Sequence, residues 1–309
     1  MIPYTRKTLP NGLTVVVNRD RASKLAAVNI LYRVGARNEN PARTGFAHLF
    51  EHLMFRGTRA VENFDLPVQM ASGDNNAFTN NDYTDFYITL PKDNLETALW
   101  LESDRMEGLD ITPAKLEAEK KVVIEEFRQR YLNQPYGDQT MLLRALAYKV
   151  HPYRWAAIGL ATDHIAGATL ADVESFYRAH YRPSNAILSI SADMEEERML
   201  ELAEKWFAPL ADHPSATAAI PQEPMQTQAR RQEVERDVPA STVTVAYHMC
   251  ARTKLDFYTA DLVSDLLSGG DSGRLYTHLV KERNLLSSVN AYITGDVDPG
   301  LFVFTGQLL

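Results

Sequence analysis

The stretch His48-Leu49-Phe50-Glu51-His52 constrains the local structure more than any other part of the sequence. Around it, apolar side chains follow the spacing of one helix face, at Phe46, Leu49, Phe50, Leu53 and Met54. His48 and His52 are four residues apart and Glu51 is three from His48, so a helix projects all three side chains from one face. Two neutral imidazoles held in this way can bind one metal ion, and an adjacent carboxylate can take a proton from a water that the metal activates. The stretch therefore predicts a metal-binding helix.

The pattern H-x-x-E-H is the inverted form of the zinc-protease motif. The alternative is a surface helix whose histidines are merely solvated or used in capping. A zinc site needs a third protein ligand, and the predicted helix 113–131 offers the glutamates Glu117, Glu119, Glu125 and Glu126. Glu119 and Glu126 are seven residues apart and share a helix face. A solvated helix face also accounts for these glutamates, so spacing alone leaves the third ligand open.

Composition excludes several classes of protein. Of the 309 residues, 45% are hydrophobic and 23% are charged, as in ordinary globular proteins. The net charge of −8 argues against a general nucleic-acid binder, since no basic surplus exists to neutralise phosphates. Cys250 is the only cysteine, which excludes an intrachain disulfide and a CxxC metal site.

The sequence contains no apolar run long enough to span a bilayer, and its start lacks the apolar core of a signal peptide. We therefore expect a protein of the cytoplasm, or a mature form in a bacterial periplasm whose signal has been removed. These two locations remain open at the level of the sequence.

The first two-thirds of the chain predict a mixture of strands and helices. A turn at Pro10-Asn11-Gly12 precedes a β-branched strand, and Thr44 is placed to cap the helix that carries the motif. Predicted strands are 13–17, 25–34, 85–90 and 186–191, and the polar stretch before residue 85 is predicted as a loop or sheet edge. Predicted helices are 93–106, 112–131, 141–148, 169–180 and 195–207.

Residues 209–230 are rich in Ala, Pro, Gln and Thr, which predicts a linker between two domains. Beyond it we predict strands near 231–237, 241–250, 288–295 and 301–308, with helices at 256–268 and 273–283. This order repeats that of the first part, so we predict a catalytic domain at 1–208 and a second, homologous domain at 231–309. The second copy is the shorter, and we expect it to be incomplete or completed by a partner.

Four stretches together resemble the pitrilysin/insulinase family of zinc metallopeptidases, which includes the processing peptidases. They are HLFEHLMFRGT, GDNNAFTNNDYTDFYITL, EAEKKVVIEEF and HPYRWAAIGLATDHI. The resemblance covers nearly the whole chain and is strongest before the linker. It implies an α+β fold of two homologous α/β units, each a mainly antiparallel sheet covered by helices, and a zinc-dependent endopeptidase that binds one Zn²⁺ per chain.

Carried over by position, the resemblance implies a role for each residue of the motif. His48 and His52 match the zinc ligands of the family, Glu51 matches its general base, and Glu126 matches its carboxylate ligand. Glu119 matches a supporting glutamate that orients a ligand or a water. Glu125, which points about 100° away on the helix, is the alternative to Glu126.

The resemblance also implies a place for the substrate. The residues Asn76, Ala77 and Phe78 match an edge strand that receives an extended peptide by strand addition. An ordinary polar loop is the alternative for this segment.

The chain departs from the family at one expected pair. Arg274 fits the position of a substrate-binding arginine, but Ser287 stands where the family has a tyrosine. Family members that divide labour carry zinc on one chain and the Arg/Tyr pair on a homologous partner, so we expect a homologous second chain or a homodimer. The competing hypothesis is a non-catalytic scaffold subunit of the same fold, which metal analysis would distinguish.

Overall fold

The structure, a computed structural model, describes residues 2–213 and 218–309. The chain divides into two compact units: the first comprises the residues up to Phe127 together with Trp155–Pro221, and the second comprises Arg128–Arg154 and Gln222–Leu309. The predicted boundaries at 208 and 231 remain a prediction, and residues 214–217 of the predicted linker lie outside the described part of the chain.

In the described residues the strands are β1 Thr5–Thr8, β2 Thr14–Arg19, β3 Leu25–Tyr32, β4 Asp74–Thr79, β5 Thr84–Pro91, β6 Ala186–Ala192, β7 Thr242–His248, β8 Leu286–Ile293 and β9 Leu301–Leu308. The α-helices are α1 Phe46–Leu53, α2 Asp65–Met70, α3 Leu95–Glu107, α4 Pro113–Phe127, α5 Gln139–Ala147, α6 Thr162–Ala166, α7 Leu170–His180, α8 Glu196–Phe207 and α9 Leu255–Ser268. Two segments are π-helical: Arg128–Leu132 lies at the end of the predicted helix 112–131, and Tyr276–Glu282 occupies most of the predicted helix 273–283.

The first unit is built on one sheet with the strand order β1-β2-β6-β3-β5-β4. Neighbouring strands are antiparallel except β2 and β6, which are parallel. Side chains alternate along β3, where Ala26, Val28, Ile30 and Tyr32 are buried, as expected for a strand with one face on the core. The predicted mainly antiparallel α+β class is confirmed for this unit.

The second unit has a three-stranded antiparallel sheet with the order β7-β9-β8. Its chain order of strand, helix, strand, strand repeats that of β3, α1, β4 and β5, and the spatial order of the strands is the same. A small apolar core joins this sheet to α5 through Tyr148, Tyr153, Leu301 and Val303. The predicted repetition of one α/β unit is therefore present in the fold.

The predicted strand at 231–237 is wrong, because this segment has no strand structure. In the first unit, β2 lies next to β6, and β6 separates it from β3. Within the described part of the second unit, the segment has no such neighbouring strand with which to form a ladder. The segment is also mostly charged, with Val234 as its only β-branched residue, so neither its side chains nor a hydrogen-bonded neighbour favours a strand.

The predicted cap of α1 by Thr44 is also wrong. Gly45 occupies the N-cap position, and its φ of 91° lies in the left-handed region. The Oγ1 atom of Thr44 instead accepts a hydrogen bond from the N–H of Leu160 (2.8 Å). By contrast, Thr112 does cap α4, since its Oγ1 accepts the N–H of Lys115 (3.2 Å).

Within the described residues, no helix combines the length and the apolar composition that a membrane crossing requires. This finding agrees with the absence of a long apolar run in the sequence.

Glu223 provides a test of the fold of the second unit. Its carboxylate accepts the backbone N–H groups of Lys149 (2.7 Å), Val150 (2.9 Å) and His151 (3.0 Å). Burial raises the pKa of Glu223, but these hydrogen bonds outweigh burial and leave the pKa below its ordinary value. Because the folded-state pKa is lowered, the carboxylate stabilises the fold above the unfolded-state pKa, and this contribution is lost as the pH falls through the folded-state value.

We therefore expect Glu223→Ala to lower the free energy of unfolding by about 1 kcal/mol at pH 7. The difference from wild type should shrink between pH 5 and pH 3, as measured by denaturant unfolding at each pH. A difference that stays constant down to pH 3 would contradict this role for the carboxylate.

Candidate metal centre

Helix α1 has one buried face, which fixes the direction of its histidines. Phe46, Ala47, Leu49, Phe50 and Leu53 are buried, and the Phe50 ring stacks on the rings of Phe176 (5.2 Å between centroids) and Tyr181 (5.1 Å). His48 is 8% exposed and His52 is partly buried. The apolar face anchors α1 on the aromatic core, so the two imidazoles are held on its remaining face next to α4.

Glu126 of α4 lies between the two imidazoles. Its Oε1 is 3.6 Å from His48 Nε2 and its Oε2 is 3.3 Å from His52 Nε2. One potential ligand atom of each of the three residues lies within 4.8 Å of the others. Two ligand atoms at about 2.0–2.1 Å from one tetrahedral zinc ion are about 3.3 Å apart. The spacing and the donor types therefore fit a His₂Glu zinc site.

Glu119, one of the two glutamates that share a face of α4, contacts the other nitrogen of His52. The distance from Glu119 Oε2 to His52 Nδ1 is 3.5 Å, and the Glu119 side chain is 1% exposed. Arg56 pairs with the opposite oxygen, with Nη2 2.5 Å from Glu119 Oε1. A carboxylate on the second ring nitrogen of a metal-binding histidine fixes its tautomer and ring orientation. The structure thus places Glu119 where it can orient His52.

The pKa of His52 is raised to about 9. Burial alone lowers this pKa, but the hydrogen bonds and charges of Glu119 and Glu126 outweigh burial. A metal ion that binds Nε2 therefore has to displace a proton, which makes metal affinity dependent on pH.

Two other residues considered for the catalytic centre, Glu51 and Glu125, lie outside the group formed by His48, His52 and Glu126. Glu51 is half-buried on α1, between the two histidines in sequence, and its charge contributes to the raised pKa of Tyr181. Glu125 is exposed and lies outside the three-residue group that contains Glu126. The structure thus brings Glu126 rather than Glu125 to the histidines.

The predicted substrate-binding residues lie in β4, at the edge of the six-stranded sheet in the described first unit. Asn76 and Phe78 are exposed and Ala77 is half-buried. The Asn76 side chain accepts the N–H of Ala77 (2.8 Å), and the Phe78 ring meets Tyr83 edge-on at 5.9 Å. Helix α1 contacts β4. A free strand edge next to the motif helix is suited to an extended peptide.

The two positions that the resemblance assigns to an arginine–tyrosine pair lie in the second unit. Arg274 is exposed just before the π-helical segment Tyr276–Glu282. Ser287 lies at an irregularity of β8, and its hydroxyl donates to the carbonyl of Gln307 (3.3 Å).

Sequence reasoning missed two residues that support the site. Arg56 follows His52 by four residues, so helical spacing was an available signal for it. Glu39 accepts the N–H groups of Gly45 and Ala47 at the start of α1 (both 2.9 Å). No periodicity in the sequence indicates Glu39, because it lies in an irregular segment.

Comparison with known proteins identifies the family to which the sequence is related. The sequence model described as Insulinase (Peptidase family M16) matches residues 14–156, and the model described as Peptidase M16 inactive domain matches residues 167–309. A zinc protease, PqqE, of Helicobacter pylori is 34% identical over 303 residues, which are 96% of this chain and 68% of that protein. A probable mitochondrial-processing peptidase subunit beta of Arabidopsis thaliana is 25% identical and is covered over 59% of its length.

Solved structures show the same fold. The crystal structure of a protease from Helicobacter pylori superimposes with a TM-score of 0.95 at 32% identity, over 100% of this chain and 76% of that one. This likeness and that to the 34%-identical zinc protease confirm the resemblance on which the sequence analysis relied. The chain belongs to the pitrilysin/insulinase family, peptidase family M16.

Proposed function

We propose that this chain is a zinc-dependent endopeptidase that cleaves peptides or extended polypeptide segments, with Glu51 as the general base. The observation that carries the proposal is the convergence of His48, His52 and Glu126, from two helices, on one point. Relatives that are named zinc proteases support the same chemistry.

The chemistry of the donor set fits zinc. Two imidazoles and one carboxylate are a known catalytic zinc set and leave one position for water or substrate. When bound, zinc supplies a Lewis acid that lowers the pKa of a water and polarises the peptide carbonyl. The two histidines and Glu126 would hold the ion.

The protein residues then handle the protons. Glu51 accepts the proton of the attacking water and, once protonated, delivers it to the leaving amine. Glu119 keeps the His52 ring oriented through Nδ1, and the Arg56 guanidinium forms an ion pair with the other oxygen of Glu119. We assign Glu119 to the catalytic centre on this basis, as a residue that acts through His52.

The substrate in this proposal is an extended peptide that adds to the edge of β4. Asn76, Ala77 and Phe78 would lie along it, with main-chain hydrogen bonds providing affinity and the exposed Phe78 ring contacting a side chain.

We further propose that a homologous second chain, or a second copy of this chain, supplies an arginine and a tyrosine to the substrate. Ser287 occupies the position at which the family has its tyrosine, so the tyrosine would have to come from another chain. One relative is by name a subunit of a larger peptidase, which supports a two-chain arrangement.

A non-catalytic scaffold subunit is the second candidate, favoured by the match of residues 167–309 to a domain described as inactive. The intact set of His48, Glu51, His52 and Glu126 favours the peptidase. Metal content separates the two: the peptidase should retain about one zinc per chain after purification. Protein that stays metal-free and inert, even with its partner added, would favour the scaffold.

The general-base role is tested with Glu51→Gln, which removes the proton acceptor and keeps the shape of the side chain. We expect hydrolysis of a library of internally quenched peptides to fall by about 10²- to 10⁴-fold. Zinc content and thermal unfolding should match wild type, because Glu51 is not assigned as a ligand. Substantial activity in a zinc-loaded Glu51→Gln protein would rule out this role.

The ligand assignment is tested with the neighbours Glu126 and Glu125 of α4. Glu126→Gln should weaken zinc binding by more than about 100-fold, since it removes a charged ligand. Glu125→Gln, a matched change at an exposed position, should leave zinc binding unchanged. Competition with a chromophoric chelator measures both affinities, and the reverse order of effects would reassign the ligand to Glu125.

The role of Arg56 is tested by Arg56→Gln. This change leaves the buried Glu119 carboxylate without its ion pair, so His52 is held less firmly and zinc affinity should fall by about tenfold. Arg59→Gln, at an exposed arginine three residues along the chain, is the control and should have no effect. Equal zinc affinities for both variants would show that Arg56 does not act through Glu119.

A further inference from the structure

A buried carboxylate that the proposed chemistry does not use lies at the start of the motif helix. Glu39 is 7% exposed, and its two oxygens accept three N–H groups. Oε2 accepts from Gly45 N–H (2.9 Å) and from the indole Nε1–H of Trp155 (3.2 Å), and Oε1 accepts from Ala47 N–H (2.9 Å). Glu39 thus holds the first turn of α1 from outside the helix.

The chain cannot cap this helix locally. The N-cap residue is Gly45, which has no side chain to accept the first N–H groups, and its φ is 91°. A Cβ at Gly45 would lie 2.6 Å from the carbonyl oxygen of Ile158, so no capping side chain fits there. Gly159, also with positive φ (102°), approaches from the other side, and a Cβ there would lie 3.0 Å from Gly45 N. The close approach of these two glycines leaves Glu39 as the acceptor.

Thr44, which precedes the N-cap residue, holds the start of α1 through further hydrogen bonds. The Thr44 hydroxyl accepts the N–H of Leu160 (2.8 Å), and the Thr44 N–H donates to His164 Nδ1 (3.1 Å). We call the set Glu39, Thr44, Trp155, Leu160 and His164 the collar of α1. It gives a structural role to the stretch HPYRWAAIGLATDHI, which the sequence singles out without a function.

The collar acts close to one metal ligand in particular. Ala47, whose N–H is held by Glu39, immediately precedes His48, whereas His52 lies one turn further along. A shift of the first turn therefore moves His48 directly. A negative charge at the N-terminus of a helix is favourable, although burial raises the pKa of Glu39 to about 8. A carboxyl group retained in so buried a place, with three N–H donors directed at it, suggests a requirement beyond packing.

We propose that Glu39 is a positioning residue for the metal centre, which sets the place of His48 by fixing the first turn of α1. Glu39 contacts none of the three proposed ligands in this arrangement and acts through the backbone. The inference rests on the proposed zinc site and deepens it.

The test compares Glu39→Gln with a matched control, Glu223→Gln. Both wild-type carboxylates accept three N–H groups, but Glu223 lies in the second unit. Each variant is measured for thermal unfolding, for zinc affinity by chelator competition, and for the visible spectrum of the Co²⁺-substituted protein, which reports ligand geometry.

We expect Glu39→Gln to weaken zinc binding by about tenfold and to change the Co²⁺ spectrum. The amide keeps one acceptor but turns a donor towards one of the N–H groups. Glu223→Gln should lower thermal stability without changing zinc affinity or the spectrum. Glu39→Asp, which keeps two acceptor oxygens on a shorter side chain, should restore part of the affinity that Glu39→Gln loses.

Two results would overturn the inference. In the first, Glu39→Gln unfolds at a lower temperature but binds zinc as wild type does and gives the same Co²⁺ spectrum, so Glu39 is only structural. If Glu39→Gln fails to fold, Trp155→Phe is measured instead, because it removes one donor to the carboxylate and keeps an aromatic ring. The inference requires a measurable loss of zinc affinity in Trp155→Phe. Unchanged zinc affinity in that variant is the second result that would overturn the inference. A wild-type protein that binds no zinc would instead refute the proposed function itself.

Discussion

The packing of α1 against α4 is the contact on which the candidate site depends. It brings the Glu126 carboxylate to 3.6 Å from one imidazole and 3.3 Å from the other, although 59 residues of chain (54–112) separate the two helices. The apolar face of α1 provides the anchoring, since Phe50 is stacked in an aromatic cluster and leaves the histidine face only one direction. The geometry of the candidate site is thus set by hydrophobic packing on the opposite side of the same short helix.

Two carboxylates, Glu119 and Glu39, support this contact from either end of α1. Glu119 accepts from His52 and is held by Arg56, and Glu39 holds the backbone at the start of α1. A helix of eight residues is short and gains little from its own propensity. Its orientation therefore has to come from contacts at both ends, with the collar at the first turn and the Arg56–Glu119 pair just beyond the last.

Those parts of the candidate site that lie within one helix could be predicted from the sequence. The i, i+3 and i+4 spacing of His48, Glu51 and His52 is a property of one helix, so a shared face follows from geometry. The choice of Glu126 over Glu125 depends on how α4 is rotated against α1, and the sequence decided it only through a family resemblance. The Glu39 contacts depend on the tertiary approach of two glycine-containing segments, for which the sequence offers no periodic signal.

The fold shows the same division between local and tertiary information. Most predicted helices and strands are present within a few residues of their predicted bounds, because their periodicity is strong. The segment 231–237 is predicted as a strand by analogy with the first unit, but it has only one β-branched residue, Val234, and no neighbour with which to pair in the described residues. Thr44 has the side chain of a capping residue, yet the approach of residues 158–160 directs its hydroxyl to Leu160. In each case a tertiary contact decided the outcome.

The measurement that tests the central claim most directly is zinc K-edge X-ray absorption of the zinc-loaded protein. The account predicts nitrogen and oxygen ligands at about 2.0–2.2 Å, with the outer-shell scattering of two imidazoles. A spectrum with a sulfur ligand near about 2.3 Å, or without imidazole scattering, would contradict it. The first of these results would place the metal at Cys250, and the second would leave the convergence of His48, His52 and Glu126 without a role in metal binding.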